Sequence, residues 1–246
     1  MSKRAYLYFF SGIIFLTFCK EVKKENSINL LTFSLSESIP VSEPSGLDLS
    51  SDEKSFWVVS DQNSTVYLLD NQGKILKKFK VNGEDLEGIT VIDDSTLAVV
   101  LEITREVVVI DTSGNEIKRA FIDLSGEFNS GLEGITYDSD KKIFYVINEK
   151  KPRLLITFDQ NLVEQRRDTL NFSKDVSGIY FDSTDKVLWI LSDESQRIVK
   201  TDLSGNPLEE FKIKVAQPEG ITFNKARTKL YLISDKTEKL YVFDFK

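Results

Sequence analysis

Five glycines at near-constant spacing constrain this chain more than any other feature. Gly46, Gly88, Gly134, Gly178 and Gly220 follow one another at intervals of 42, 46, 44 and 42 residues. Each opens the same series: a polar residue before the glycine, a short apolar segment, an acidic turn, then a second apolar segment that ends on an acid. The third copy has it in full, as Gly131-Leu132-Glu133-Gly134-Ile135-Thr136-Tyr137 followed by Ile143-Phe144-Tyr145-Val146-Ile147-Asn148-Glu149. A fixed period in this range, built from short strands, is the signature of a β-propeller. Each repeat is then a four-stranded blade that cannot bury its two faces alone.

Within each unit the segments read as four strands of period two. Second strands are expected near Phe56–Val59, Leu97–Leu101, Ile143–Ile147, Leu188–Leu191 and Leu230–Ile233. Third strands end in Asp70, Asp111, Asp159, Asp202 and Asp244, and a glycine follows three residues later at Gly73, Gly114 and Gly205. That is turn chemistry, in which an Asp side chain holds the hairpin and glycine takes the positive φ. The fifth unit stops after its third strand. A spare strand, Leu30–Leu35, stands ahead of the first unit and is expected to pair with Leu240–Phe243, closing the ring and leaving no long bare edge. The expected fold is all-β: a five-bladed propeller of four-stranded antiparallel blades.

The first residues belong to something else. Met1 to Arg4 carry two positive charges, an uncharged run extends from Ala5 to Phe18, and Cys19 follows. A charged start, an apolar middle too short to span a bilayer and an abrupt polar return read as an export signal. Leu16-Thr17-Phe18-Cys19 resembles a bacterial lipoprotein signal, with Phe18 where such signals prefer a small residue. The resemblance implies a lipidated Cys19 as the mature N-terminus. The expected organisation is a signal peptide over 1–18, the lipidated cysteine and a flexible tether over 19–28, and the propeller over 29–246. Cys19 is the single cysteine, so no disulfide within the chain is possible.

Loss of residues 1–18 leaves 30 basic against 39 acidic residues, a net charge of −9. An acidic chain without a long basic run excludes electrostatic binding to nucleic acid. In a propeller the loop before each first strand and the loop after each second strand open on one face. Two sets of polar residues fall there. Ser45, Glu87, Glu133, Ser177 and Glu219 precede the anchor glycines; Asp61, Glu102, Glu149, Asp193 and Asp235 end the second strands. Two carboxylates 4 Å apart repel by about 1 kcal/mol in water and about 4 at an effective dielectric of 20. The set must bind a cation, take up protons or spread out. Each acid could instead cap a loop by accepting backbone N–H groups, but eight exceed what capping needs. Oxygen ligands without histidine or a free thiol select Ca²⁺ over zinc or copper. Glu87, Glu102, Glu133 and Glu149 are the first candidates, then Glu219, Asp193 and Asp235.

The repeated Glu-Gly-Ile-Thr opening, the Ser-Asp at second-strand ends and the Asp-x-x-Gly turns resemble the SdiA-regulated family of bacterial propellers, over residues 42–246. That resemblance implies a five-bladed propeller distantly akin to NHL-repeat proteins, with a calcium site on the blade-centre acids. Two functions stay open. One is a membrane-anchored lipoprotein of the cell envelope, monomeric, whose acidic face binds a small molecule or a protein. The other is a calcium-dependent lactone or ester hydrolase with Glu133 or Glu149 as base. Phe56, Trp57, Phe144, Tyr145, Trp189 and Tyr231 could form a sugar platform, yet their place in second strands favours core packing.

Overall fold

The computed structural model describes residues 29–124 and 130–245. The signal peptide, Cys19 and the tether through residue 28 lie outside the described residues. Two strands come before the first repeat, β1 (Asn29–Leu30) and β2 (Thr32–Ser38). Blade 1 follows with β3 (Pro44–Leu49), β4 (Ser55–Ser60), β5 (Thr65–Asp70) and β6 (Ile75–Lys80). Blade 2 has β7 (Leu86–Asp93), β8 (Thr96–Leu101), β9 (Glu106–Asp111) and β10 (Glu116–Phe121); blade 3 has β11 (Leu132–Asp138), β12 (Ile143–Asn148), β13 (Leu154–Asp159) and β14 (Glu164–Thr169). Blade 4 has β15 (Gly178–Asp182), β16 (Val187–Ser192), β17 (Arg197–Thr201) and β18 (Pro207–Lys212), and blade 5 has β19 (Pro218–Phe223), β20 (Lys229–Ser234) and β21 (Lys239–Asp244). No helix is present among the described residues. The five-bladed propeller expected from the glycine period is the observed fold.

The ring closes where the sequence places the closure. β2 is the fourth strand of blade 5, antiparallel to β21, with Phe33 opposite Phe243 and Leu35 opposite Val242. Its bounds lie further along the chain than Leu30–Leu35. Leu30 instead belongs to β1, which pairs in parallel with the outer edge of blade 4 (Leu30 opposite Lys212). Leu31 packs into the apolar junction between blades 4 and 5. The strand continues through Ser36, Glu37 and Ser38 because an outer strand faces solvent and needs no apolar pattern.

Five apolar clusters fill the described core, one at each junction between neighbouring blades. Second strands supply both of their faces. On β8, Leu97, Val99 and Leu101 pack toward blade 1, while Ala98 and Val100 pack toward blade 3. This is why second strands read as unbroken apolar runs and outer strands such as β14 as polar ones. The aromatics belong to these junctions. Trp189 lies 5.0 Å from Phe223 and 5.3 Å from both Phe211 and Phe245, and Phe56 lies 5.0 Å from Tyr231. Four of the five third-strand acids serve turns as expected, while Asp244 pairs with Lys229 at 2.5 Å. Asp70 Oδ1 accepts from the N–H groups of Gln72 and Lys74, both at 2.9 Å, and Asp111, Asp159 and Asp202 repeat the pattern.

Candidate metal centre

The first strands β3, β7, β11, β15 and β19 line the axis, and the anchor glycines let them meet there. A Cβ on Gly46 would lie 2.6 Å from the carbonyl oxygen of Glu87 on the next blade, and one on Gly178 would lie 2.5 Å from that of Glu219. Backbone packed this closely leaves an axial lumen of only about 10 Å³, room for about one water molecule.

Above this constriction the residues before the glycines are displaced by β-bulges. The pairing register slips between Pro44 and Gly46, Leu86 and Gly88, Leu132 and Gly134, and Pro218 and Gly220. In blade 4 the N–H of Ser177 reaches the carbonyl of Leu191 at 3.0 Å, the residue that also faces Gly178. A bulge re-aims a side chain. Here Ser45, Glu87, Glu133, Ser177 and Glu219 all face a single pocket of about 310 Å³. The two serines close onto the neighbouring blade, Ser45 donating to the carbonyl of Leu86 at 2.7 Å and Ser177 to that of Pro218 at 2.8 Å. The glutamates at the same position face the pocket with their carboxylates.

Asp61, Glu149, Asp193 and Asp235 complete the wall of this pocket. The loop before the first strand fixes the backbone of three of them: Asp61 N–H donates to Glu43 O at 3.3 Å, Glu149 N–H to Gly131 O at 2.9 Å and Asp235 N–H to Gln217 O at 3.1 Å. The serine of each Ser-Asp pair ties down the same loop, Ser60 to Ser42 O at 2.6 Å and Ser234 to Ala216 O at 2.5 Å. The Ser-Asp motif therefore has a division of labour. Its serine holds the loop and its aspartate faces the pocket.

The first four candidates do not form one group. Glu102, Glu133 and Glu149 each bring a carboxylate oxygen within 4.8 Å of the others. Glu87 stands in a different triad at the same range, with Asp61 and Asp85. Glu219, Asp193 and Asp235 line the pocket outside either triad. Glu102 sits behind the pocket wall, 6% exposed, and accepts the N–H of Gly131 at 3.0 Å.

A third set was not read from the sequence. Three residues ahead of the anchor glycines stand Glu43, Asp85, Gly131, Asp175 and Gln217. Asp175 is buried, accepts from the hydroxyl of Ser192 and from Glu194 N–H at 3.1 Å, and lines the pocket. The repeat alignment that found the other two sets contains this one at a constant offset. Among the described residues, nine carboxylates line the pocket against one cation, Lys150, whose Nζ lies 2.5 Å from Glu149 and 3.5 Å from Glu194.

Burial raises these acids, and their like charges add to it. Glu87 and Glu133 are pushed well above the carboxylate range, Glu219 to about 8, and Asp61 and Glu102 to about 7. Glu149 is also raised by burial, with Lys150 pulling the other way. All donors are oxygen, and the chain contains no histidine. Such a donor set fits a hard divalent cation.

The family model of SdiA-regulated proteins matches residues 36–244. The chain belongs to the SdiA-regulated family. No curated protein matches the sequence. Among solved structures, the β-propeller domain of Cps50 (Swd1) from Myceliophteria thermophila is similar, with a TM-score of 0.52 and 12% identity. The match covers 81% of this chain and 65% of that one. At this identity the likeness carries the propeller fold alone.

Proposed function

We propose that this protein is an envelope-anchored, calcium-binding propeller lipoprotein that serves as a ligand- or protein-binding module. One observation carries the reading: Glu102, Glu133 and Glu149 bring their carboxylate oxygens within 4.8 Å of one another beside an acidic pocket. A cation is the simplest counter to that repulsion, and Ca²⁺ accepts six to eight oxygens in flexible geometry. The family and the fold support a binding module of the propeller type. The envelope anchor is part of this proposal, supported by the charged start, the apolar run and Cys19.

Hydrolysis is the second reading, favoured by Glu133, which faces the pocket with its carboxyl raised by burial, as a group that holds and passes on a proton requires. The pocket walls weigh against it. Every described residue lining the pocket is polar or charged, whereas sites for organic substrates are mostly apolar. Binding is therefore the conclusion. Calcium titrated calorimetrically into the chelated protein should give saturable heat, and magnesium a weaker response, because it keeps its water and demands a tighter octahedron. Absence of saturable calcium heat contradicts the reading. Calcium-dependent turnover of lactones or aryl esters, lost on Glu133→Gln, would replace the binding module with the hydrolase.

A further inference from the structure

The structure holds two carboxylate triads where the repeat pattern suggests one ring. Each joins the acid at the end of one blade's second strand to the glutamate before the next blade's glycine. Asp61 and Glu87 are such a pair across blades 1 and 2, completed by Asp85; Glu102 and Glu133 are the pair across blades 2 and 3, completed by Glu149. We propose that Asp61, Asp85 and Glu87 form a second divalent-cation site, adjacent to but separate from the site of Glu102, Glu133 and Glu149. The proposal rests on the calcium-binding reading of the pocket and extends it from one ion to two.

Three features point to a ligand at this triad beyond the clustering of acids. Glu87 is 8% exposed, lines the pocket and receives no hydrogen bond from any described residue. Its neighbours there are the like-charged Asp61, Asp85, Glu219 and Glu102. A carboxylate this buried without a donor has lost its water and gained nothing in exchange, which a protein tolerates only where another ligand arrives. Asp61 Oδ1 is likewise buried with no partner among the described residues. Asp85 stands beside Glu102, whose N–H donates to the Asp85 carbonyl at 2.9 Å. A carboxylate at the seam of two cation sites can bridge both.

The other blade junctions explain why the sites stop at two. Ser45 and Ser177 replace the glutamate at junctions 5–1 and 3–4, and their hydroxyls are spent on neighbouring carbonyls. At junction 4–5, Asp193 and Glu219 are present, but among the described residues no third carboxylate closes a group with them at the same range. The first triad also lacks the internal cation of the second. Lys150 pairs with Glu149, whereas the charged groups acting on Asp61 are Glu43, Asp235 and Asp85.

The test is anomalous diffraction from crystals of the propeller soaked in Mn²⁺, with calcium calorimetry in parallel. The wild type should give two anomalous peaks, one in each triad, and a calcium stoichiometry of two. Asp61→Asn should abolish the peak beside Glu87 and keep the peak beside Glu149, with stoichiometry reduced to one. Glu149→Gln should do the reverse. A single wild-type peak among Glu102, Glu133 and Glu149, or two peaks that both survive Asp61→Asn, would overturn the second site and leave calcium binding intact. No peak in either triad and no calcium heat would overturn both. If the variants do not fold, the wild-type peak count alone decides.

Discussion

Asp48 and Thr222 stand 174 positions apart in the chain, yet the hydroxyl of Thr222 donates to Asp48 Oδ1 at 3.0 Å. Asp48 lies on the first strand of blade 1, at the end of the axis remote from the acidic pocket. Its other oxygen accepts from Val91 N–H at 2.9 Å and from the hydroxyl of Thr90 at 3.2 Å, both on blade 2. One carboxylate thus joins blade 1 to both of its neighbours. Burial raises its pKa while the four hydrogen bonds, the last from Leu49 N–H, lower it.

Asp48→Ala removes the acceptor for these donors and leaves them unpaired. Hydrogen bonds to a charged group are worth about 1.5–3 kcal/mol each, and an orphaned buried donor costs about 1–3. The variant should lose roughly 3 kcal/mol in urea unfolding and keep the wild-type response to calcium. Unchanged stability would mean that the cross-blade bonds carry no weight.

The circular closure gives a second prediction. β2 covers the edge of β21, and without it Lys239–Asp244 would offer bare backbone to other chains. Deleting residues 29–36 should produce aggregation in light scattering and a lower melting temperature. A monomeric deletion variant with unchanged melting would show that the pairing of β2 with β21 contributes nothing to the ring.

Anchoring is tested apart from the fold. Full-length protein should partition with membranes, since stable attachment takes more than one acyl chain, as a lipoprotein modification supplies. Cys19→Ala should release it or block its processing. Equal membrane association of both forms would point to an uncleaved apolar segment in place of a lipid.

How far the sequence reached follows from what each residue has to satisfy. The glycines are legible because inner strands touch backbone to backbone, and no other residue fits at Gly46 or Gly178. The turn aspartates are legible because their partners are two and four residues away. β2 is readable only at its start, since Ser36 to Ser38 are polar and carry no apolar pattern. The bulges before the glycines leave no trace in composition, so the sequence makes a ring where the structure makes two triads. Asp48 is the harder case. It occupies the position held by Thr90, Thr136 and Thr222 in other blades, and its role depends on partners in blades 2 and 5.

Without a cation, stability should fall as pH rises through neutrality. Unfolded carboxyls titrate near 4. Folded Asp61 and Glu102 titrate at about 7 and Glu219 at about 8. Between these limits the folded state holds more protons than the unfolded state, so each pH unit gained favours unfolding. Turn acids act in the opposite sense below that window, because Asp93, Asp111 and Asp202 are lowered and lose their contribution only as the solution becomes strongly acidic. Chelated protein should therefore melt higher at pH 5 than at pH 8, and calcium should narrow the gap. A higher melting temperature at pH 8 in chelator would contradict the raised carboxyls.

The melting temperature of the thoroughly chelated protein with and without calcium tests the central claim most directly. A cation that binds only the folded state stabilises it by about 2.7 kcal/mol at a hundredfold excess over Kd. For a domain of this size that is a rise of roughly 5–10 °C. Glu133→Gln with Glu149→Gln keeps the side-chain shapes and removes two charges, so the double variant should melt higher than wild type in chelator and gain less from calcium. A wild-type melting temperature unmoved by calcium, or a double variant that responds as fully as the wild type, would contradict the calcium centre.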